Sequence, residues 1–146
     1  MLDQMSFDSL SASFLLRSLT TNDHHPHLLL DCSPIEVECV LLGLAQWGAR
    51  PVTHCRLPGP LMLPRYGRGT LFLEGLQHMN LTQQIALFDW MTHRAQNVQV
   101  ISVTTKAIDS LVAKGEFLEG LFSRLSTVRL DSRIHDRDII PIEKAS

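Results

Sequence analysis

The chain has 146 residues, 45% of them hydrophobic and 19% charged, with 8 Gly and 7 Pro; this composition fits one globular domain and argues against two full ones. About two thirds of the unfolded surface can be buried at this length, enough for a core without disulfide staples. The 13 Lys plus Arg against 15 Asp plus Glu give a formal charge of −2 with no long single-sign run, which argues against a dedicated nucleic-acid surface.

Residues 5 to 19 set Met5, Phe7, Leu10, Phe14, Leu15 and Leu19 at helical spacing among Ser and Asp, predicting an amphipathic first helix within an N-terminal segment 1–20. Pro26 and its polar neighbours break that helix before a short buried strand, Leu28-Leu29-Leu30. Ser33 followed by Pro34 reads as a cap and a first helical residue, and Ile35, Val37, Val40, Leu41 and Leu44 form an apolar face that ends near Gly48. Residues 51 to 56 are β-prone, and the run LPGPLMLPRYGRG (57–69) is too rich in Pro and Gly for a regular element.

Thr70 to Leu73 forms a continuous apolar strand, and Leu81 to Thr92 has helical character. Val98, Val100, Ile101 and Val103 predict a further buried strand, Ile108 to Leu125 a broadly helical stretch, and Thr127 to Leu130 a last strand, before a tail at 133–146. Strands alternating with helices imply a parallel α/β sheet of about five strands with helices on both faces. Ligands of such sheets bind at the carboxyl ends of the strands, which directs attention to the loops after Leu30, Arg56, Leu73 and Val103.

Three cysteines, Cys32, Cys39 and Cys55, are odd in number and lack C-x-x-C spacing, so they are expected to be reduced thiols in a cytoplasmic protein. The start, MLDQMSFDSL, has acids where a signal peptide needs base. No apolar run approaches the about 18 residues of a membrane span. We therefore expect a soluble chain with no membrane partner.

The stretches GTLFLEGLQHMNLTQQIALFDWM (69–91) and VQVISVTTKAIDSLVAKGEFLEGLFSRLSTVRL (98–130) resemble the AAA+ ATPase domain of sigma-54-dependent bacterial transcription activators. That family has a Walker B strand of the type GGTLFLDEI, a sensor strand of the type VRIIAATN, and then GxFRxDLYYRLN, in the same order and spacing over about sixty residues. The tail RIHDRDIIPI (133–142) is similar to the family's LRERxxDIP. The resemblance implies a P-loop NTPase-like α/β subdomain occupying 1–146 as a single domain. The family's helical lid has no counterpart before Ser146.

The departures bear on function. A P-loop needs G-x-x-x-x-G-K-[ST], whose amides cradle phosphates while Lys and a hydroxyl serve the terminal phosphates and metal. The corresponding position here, Asp31, Cys32, Ser33 and Pro34, has neither Gly nor Lys, and Asp31, Glu36 and Glu38 would repel phosphate. The family's Walker B Asp and Glu fall on Glu74 and Gly75. Gly75 cannot act as a base, and the extra methylene of Glu74 moves its carboxylate about 1.5 Å, too far for a strict octahedral magnesium shell.

The sensor position falls at Thr105 and Lys106, where the family's Asn is absent. Of the two arginine-finger positions one is Leu118 and the other Arg124, so half the cationic set remains. The sigma-contacting GAFTGA loop has only LPGPLMLPRYGR (57–68) in its place. The resemblance thus implies a pseudo-ATPase, not an enzyme, with no cofactor. It would act on a protein partner or on itself in transcription regulation or signalling. The partner could be an active AAA+ relative or another transcription component, with no direct nucleic-acid contact. The competing readings are a nucleotide-binding switch without turnover and, more remotely, an enzyme built on Asp31, Glu74 and Lys106.

Other groupings are read more plainly. Cys32, Cys39, His54 and Cys55 have the wrong spacing for a zinc knuckle and read as ordinary small core residues. His24, His25 and His27 read as a solvated linker rather than a metal site. Asp31, Glu36 and Glu74 read as solvated carboxylates or as ion-paired near Lys106 or Arg124. Trp47, Trp90, Phe88 and Phe72 read as core.

Overall fold

A computed structural model describes residues 26–65, 67–94 and 97–131. The predicted helix at 5–19, His24, His25 and the tail at 133–146 lie outside the described residues. Five strands, β1 (Leu28–Asp31), β2 (Val52–Arg56), β3 (Arg68–Glu74), β4 (Asn97–Thr104) and β5 (Val128–Asp131), form one sheet in the order β2-β3-β4-β1-β5. Every neighbouring pair is parallel: Leu28 aligns with Ile101 and Val128, Phe72 with His54 and Ile101. Among the described residues four α-helices accompany the sheet: α1 (Pro34–Trp47), α2 (Leu81–His93), α3 (Ile108–Ala113) and α4 (Glu119–Leu125).

Local chemistry sets where the helices begin. In α1 the Ser33 hydroxyl accepts from Glu36 N–H, the Glu36 carboxylate accepts from Ser33 N–H, and Pro34 fills the first helical position. Asn80 and Gln83 close the same reciprocal box at the start of α2. The predicted single stretch 108–125 is instead two short helices. Gly115 at φ +78 reverses the chain after α3, and Glu116 and Phe117 N–H groups both bond the Leu111 carbonyl, which closes that helix.

Alternation along the strands divides the core in two. On one face Leu28, Leu30, Phe72, Ile101 and Val103 pack against Val40 and Leu44 of α1. On the other, Leu29, Leu71, Leu73, Val98 and Val100 meet Leu87 and Trp90 of α2 and Ile108, Leu121 and Leu125 of α3 and α4. Burying each such side chain contributes about 1.5–3 kcal/mol, and the central strand β4 is buried along all but its first residue.

The crossover from β2 to β3 is unusual. Parallel neighbours are normally joined through a helix, yet the described residues between these two strands, 57–65 and 67, contain none. They form an extended strap whose Leu61 and Leu63 pack on the core. Gln83 Nε2 donates to the Gly59 carbonyl at 2.7 Å and Trp90 Nε1 to the Pro64 carbonyl at 3.1 Å. These bonds tie the strap along α2.

Candidate functional site

The carboxyl ends of β1, β3 and β4 bring the sequence-predicted positions to one edge of the sheet. At β1 only Cys32 and Ser33 separate the strand from α1. The Cys32 N–H donates to the Thr104 carbonyl at 3.0 Å, the Ser33 N–H to Glu36 Oε1 at 2.8 Å, and the Glu36 N–H to Ser33. Pro34 has no N–H to give. The amides a helix start would offer to an anion are thus largely engaged, with the Glu36 carboxylate set over them.

Asp31 is fully buried. Its partner is neither Lys106 nor Arg124, as the sequence suggested, but Arg129 of β5, which reaches Asp31 through Nε at 2.8 Å and Nη2 at 3.4 Å. The same guanidinium grips Asp109 of α3 at 2.9 and 2.6 Å and lies over the Phe122 ring. Hydrogen bonds from Arg129 pull the Asp109 carboxyl below its ordinary range, and both carboxylates push the guanidinium pKa further up. This triad joins β1, β5 and α3 across 98 residues of sequence. Arg129 was missed in the sequence, where its signal was a lone cation between Val128 and Leu130 of β5.

At β3 Glu74 is drawn toward the sheet edge. His54 Nε2 lies 2.9 Å and Arg56 Nε 3.5 Å from its Oε1, and the His54 ring tilts against Phe72. Gly75 follows in the left-handed region at φ 81, ψ 42, and its N–H donates to the Val103 carbonyl at 3.2 Å. A Cβ built there would overlap the Leu57 carbonyl oxygen, so the backbone itself selects glycine.

Thr104 and Thr105 at the end of β4 are bridged by Gln77. The Thr104 hydroxyl shares its one proton between Gln77 Oε1 at 3.0 Å and the Lys106 carbonyl at 2.6 Å, and Gln77 Nε2 donates to Thr105 Oγ1 at 2.8 Å. Lys106 is exposed, while its backbone carbonyl and N–H both bond Thr104 Oγ1. Arg124, at the far end of α4, stacks over Phe88 at 5.2 Å and donates to Thr92 at 3.1 Å.

Asp31, Glu36 and Glu74 therefore each answer to a different neighbour. Among the described residues no group of three His, Cys, Asp or Glu side chains is placed to hold a metal ion. Of the four residues read as core, Cys32 and Cys55 are buried, whereas Cys39 and His54 are only partly so; burial pushes the Cys55 thiol up. Phe72 and Trp90 are core residues, whereas Phe88 is partly buried and packs at the core's margin. Among the described residues no helix is long and apolar enough to cross a membrane.

Comparison with known proteins gives this geometry its context. A family model described as the sigma-54 interaction domain matches residues 60–132, half of the chain. No curated protein sequence matches. The structure is similar to NtrX from Brucella abortus in complex with ADP, with a TM-score of 0.65 at 17% identity over 88% of this chain and 36% of that one. NtrX in complex with ATP gives 0.63 at 16% over 85% and 35%. The P-loop NTPase domain of the sigma-54 transport activator from E. coli gives 0.54 at 15% over 80% and 95%. At these identities the likeness is one of fold, the parallel α/β sheet of a P-loop NTPase domain. The chain spans about a third of the length of the NtrX chains.

Proposed function

This chain belongs to the sigma-54 interaction domain family, and on that premise we propose that it is a regulatory member that works by protein–protein contact without hydrolysing ATP. The observation that carries the reading is the two-residue link between β1 and α1. A phosphate cradle is a loop of eight motif residues with glycine amides turned inward and a lysine at its end. Here Pro34 lacks an N–H, and the Cys32, Ser33 and Glu36 amides bond within the protein. Glu36 also stands where the phosphates' negative charge would approach. These residues do not fit a nucleotide triphosphate.

The second strand end supports the same reading. Glu74 is engaged by His54 and Arg56, and Gly75 occupies a backbone conformation that disfavours any side chain, including a catalytic glutamate. The sheet and its helices do not depend on the phosphate loop, so a surface for partners survives its loss. The partner class we propose is another transcription component or a second family member, in the bacterial cytoplasm.

The test is a thermal-shift titration of the full chain with ATP, ADP and GTP, each with and without magnesium. A ligand at a hundred times its Kd adds about 2.7 kcal/mol of stability. In a domain of this size that raises Tm by roughly 5–10 °C. We expect no shift at millimolar nucleotide. A shift of that size would overturn the reading in favour of a nucleotide-responsive switch.

A further inference from the structure

β2 is an edge strand of the sheet, paired with β3 alone. The Pro51 carbonyl accepts from Thr70 N–H at 3.0 Å, and the Leu57 N–H donates to the Glu74 carbonyl at 2.8 Å. Backbone groups of successive strand residues point to opposite sides. With Val52 in register with Thr70 and Arg56 with Glu74, Thr53 and Cys55 therefore direct their N–H and C=O groups to β3, and Val52, His54 and Arg56 direct theirs outward. Among the described residues nothing takes up these outward groups. Such an edge is a template for one more strand.

The side chains beside the edge state what that strand must carry. Residues 39–73 contain four arginines, Arg50, Arg56, Arg65 and Arg68, all exposed, and no Asp or Glu, in a chain of net charge −2. Arg56 ends β2, Arg50 stands two residues before Val52, and Arg68 opens the neighbouring β3. Glu74 is already engaged by His54 and Arg56. The like charge opposes pairing of β2 with its counterpart in a second copy, because an antiparallel pair centred on His54 brings Arg56 of one copy diagonally toward Arg50 of the other. It favours carboxylates.

The two faces of the edge differ. The His54 ring packs against Phe72, which places Val52, His54 and Arg56 on the α1 side of the sheet. Cys55 projects to the opposite side, where its Sγ accepts from Met62 N–H at 3.3 Å, and the Met62 side chain is 55% exposed. A strand laid along β2 thus meets cations on one face and an apolar side chain on the other. We infer that the β2 edge binds an extended acidic segment of another protein, added to the sheet as a further strand, with carboxylates toward Arg50 and Arg56 and alternate apolar residues toward Met62. The inference supplies a partner chemistry for the protein contact proposed above and rests on that reading.

The probe is a capped, fluorescently labelled Glu-Val-Glu-Val-Glu peptide, titrated into the full chain at low salt and compared with Lys-Val-Lys-Val-Lys. Anisotropy should show the acidic peptide binding at least about ten-fold more tightly, and Arg50→Glu with Arg56→Glu should reverse the preference. Amide exchange followed by NMR locates the contact. Excess acidic peptide should slow exchange at Val52, His54 and Arg56 several-fold, while Thr53 and Cys55, already bonded to β3, change little. No binding, equal binding of both peptides, or binding without protection of the three outward amides would overturn the inference. Protection of those amides that rises with chain concentration before peptide is added, the mark of a second copy on the edge, would equally overturn it. These readouts report β2 alone, whereas nucleotide titration reports the β1–α1 link, so failure here leaves the proposed loss of ATP binding standing.

Discussion

Replacing Gly75 by Ala probes the turn that ends β3. Gly75 sits at φ 81, ψ 42, where a residue with a Cβ costs about 1–2 kcal/mol more than glycine. The added methyl also meets the Leu57 carbonyl oxygen. Leu57 cannot yield freely, because its own N–H donates to the Glu74 carbonyl at 2.8 Å. Forcing that backbone aside adds about 1–3 kcal/mol of overpacking strain. The expected total is about 2–5 kcal/mol, which lowers Tm by roughly 5–15 °C in a domain of this size. Urea denaturation followed by circular dichroism, with an unchanged m-value, measures it. A Gly75→Ala protein within about 0.5 kcal/mol of the parent, the range of neutral surface substitutions, would refute the claim that the backbone selects glycine. Gly75→Glu carries the same strain, so it is expected to gain no ATP hydrolysis.

Two further substitutions test the charge arrangement. Arg129→Met leaves Asp31 buried without its guanidinium and should cost about 3–5 kcal/mol, read from the denaturant midpoint. Adding Asp31→Asn should recover part of that loss, and a cost below about 1 kcal/mol, the median of an exposed pair, would show that the triad is only a surface contact. His27 is held below its ordinary pKa, first by burial and then by the Arg124 charge, and its Nδ1 accepts from Val100 N–H. The unfolded chain therefore binds the extra proton first, so this contribution is present above the unfolded pKa near 6.5 and is lost as pH falls from there toward the folded value. His27→Gln should flatten the pH dependence of stability in that window, and an unchanged slope would contradict it.

How much of this was legible in the sequence follows from the range of the interactions. The strands and the two long helices rest on contiguous apolar runs and on caps such as Ser33-Pro34, which act within four residues. The seam at Lys114 to Leu118 was missed because Gly115 lies between two apolar stretches that share a helical period. Arg129 was assigned to no one, since its partners Asp31 and Asp109 meet it only through the strand order β4-β1-β5. Glu74 was legible as a position but not as a contact: its pairing with His54 and Arg56 depends on the β2/β3 register. Gln77 and Gln84 gave no signal. Yet Gln84, fully buried, accepts from Leu118 N–H and donates to the Met79 and Glu116 carbonyls, fixing the loop before α4.

The most direct test of the central claim is calorimetric titration of the full chain with magnesium ADP at millimolar concentration, run beside NtrX from Brucella abortus, a protein whose structure has been solved in complex with ADP. The two-residue β1–α1 link predicts no saturable heat from this chain under conditions where NtrX titrates. A saturable isotherm of one-to-one stoichiometry from this chain would contradict the account.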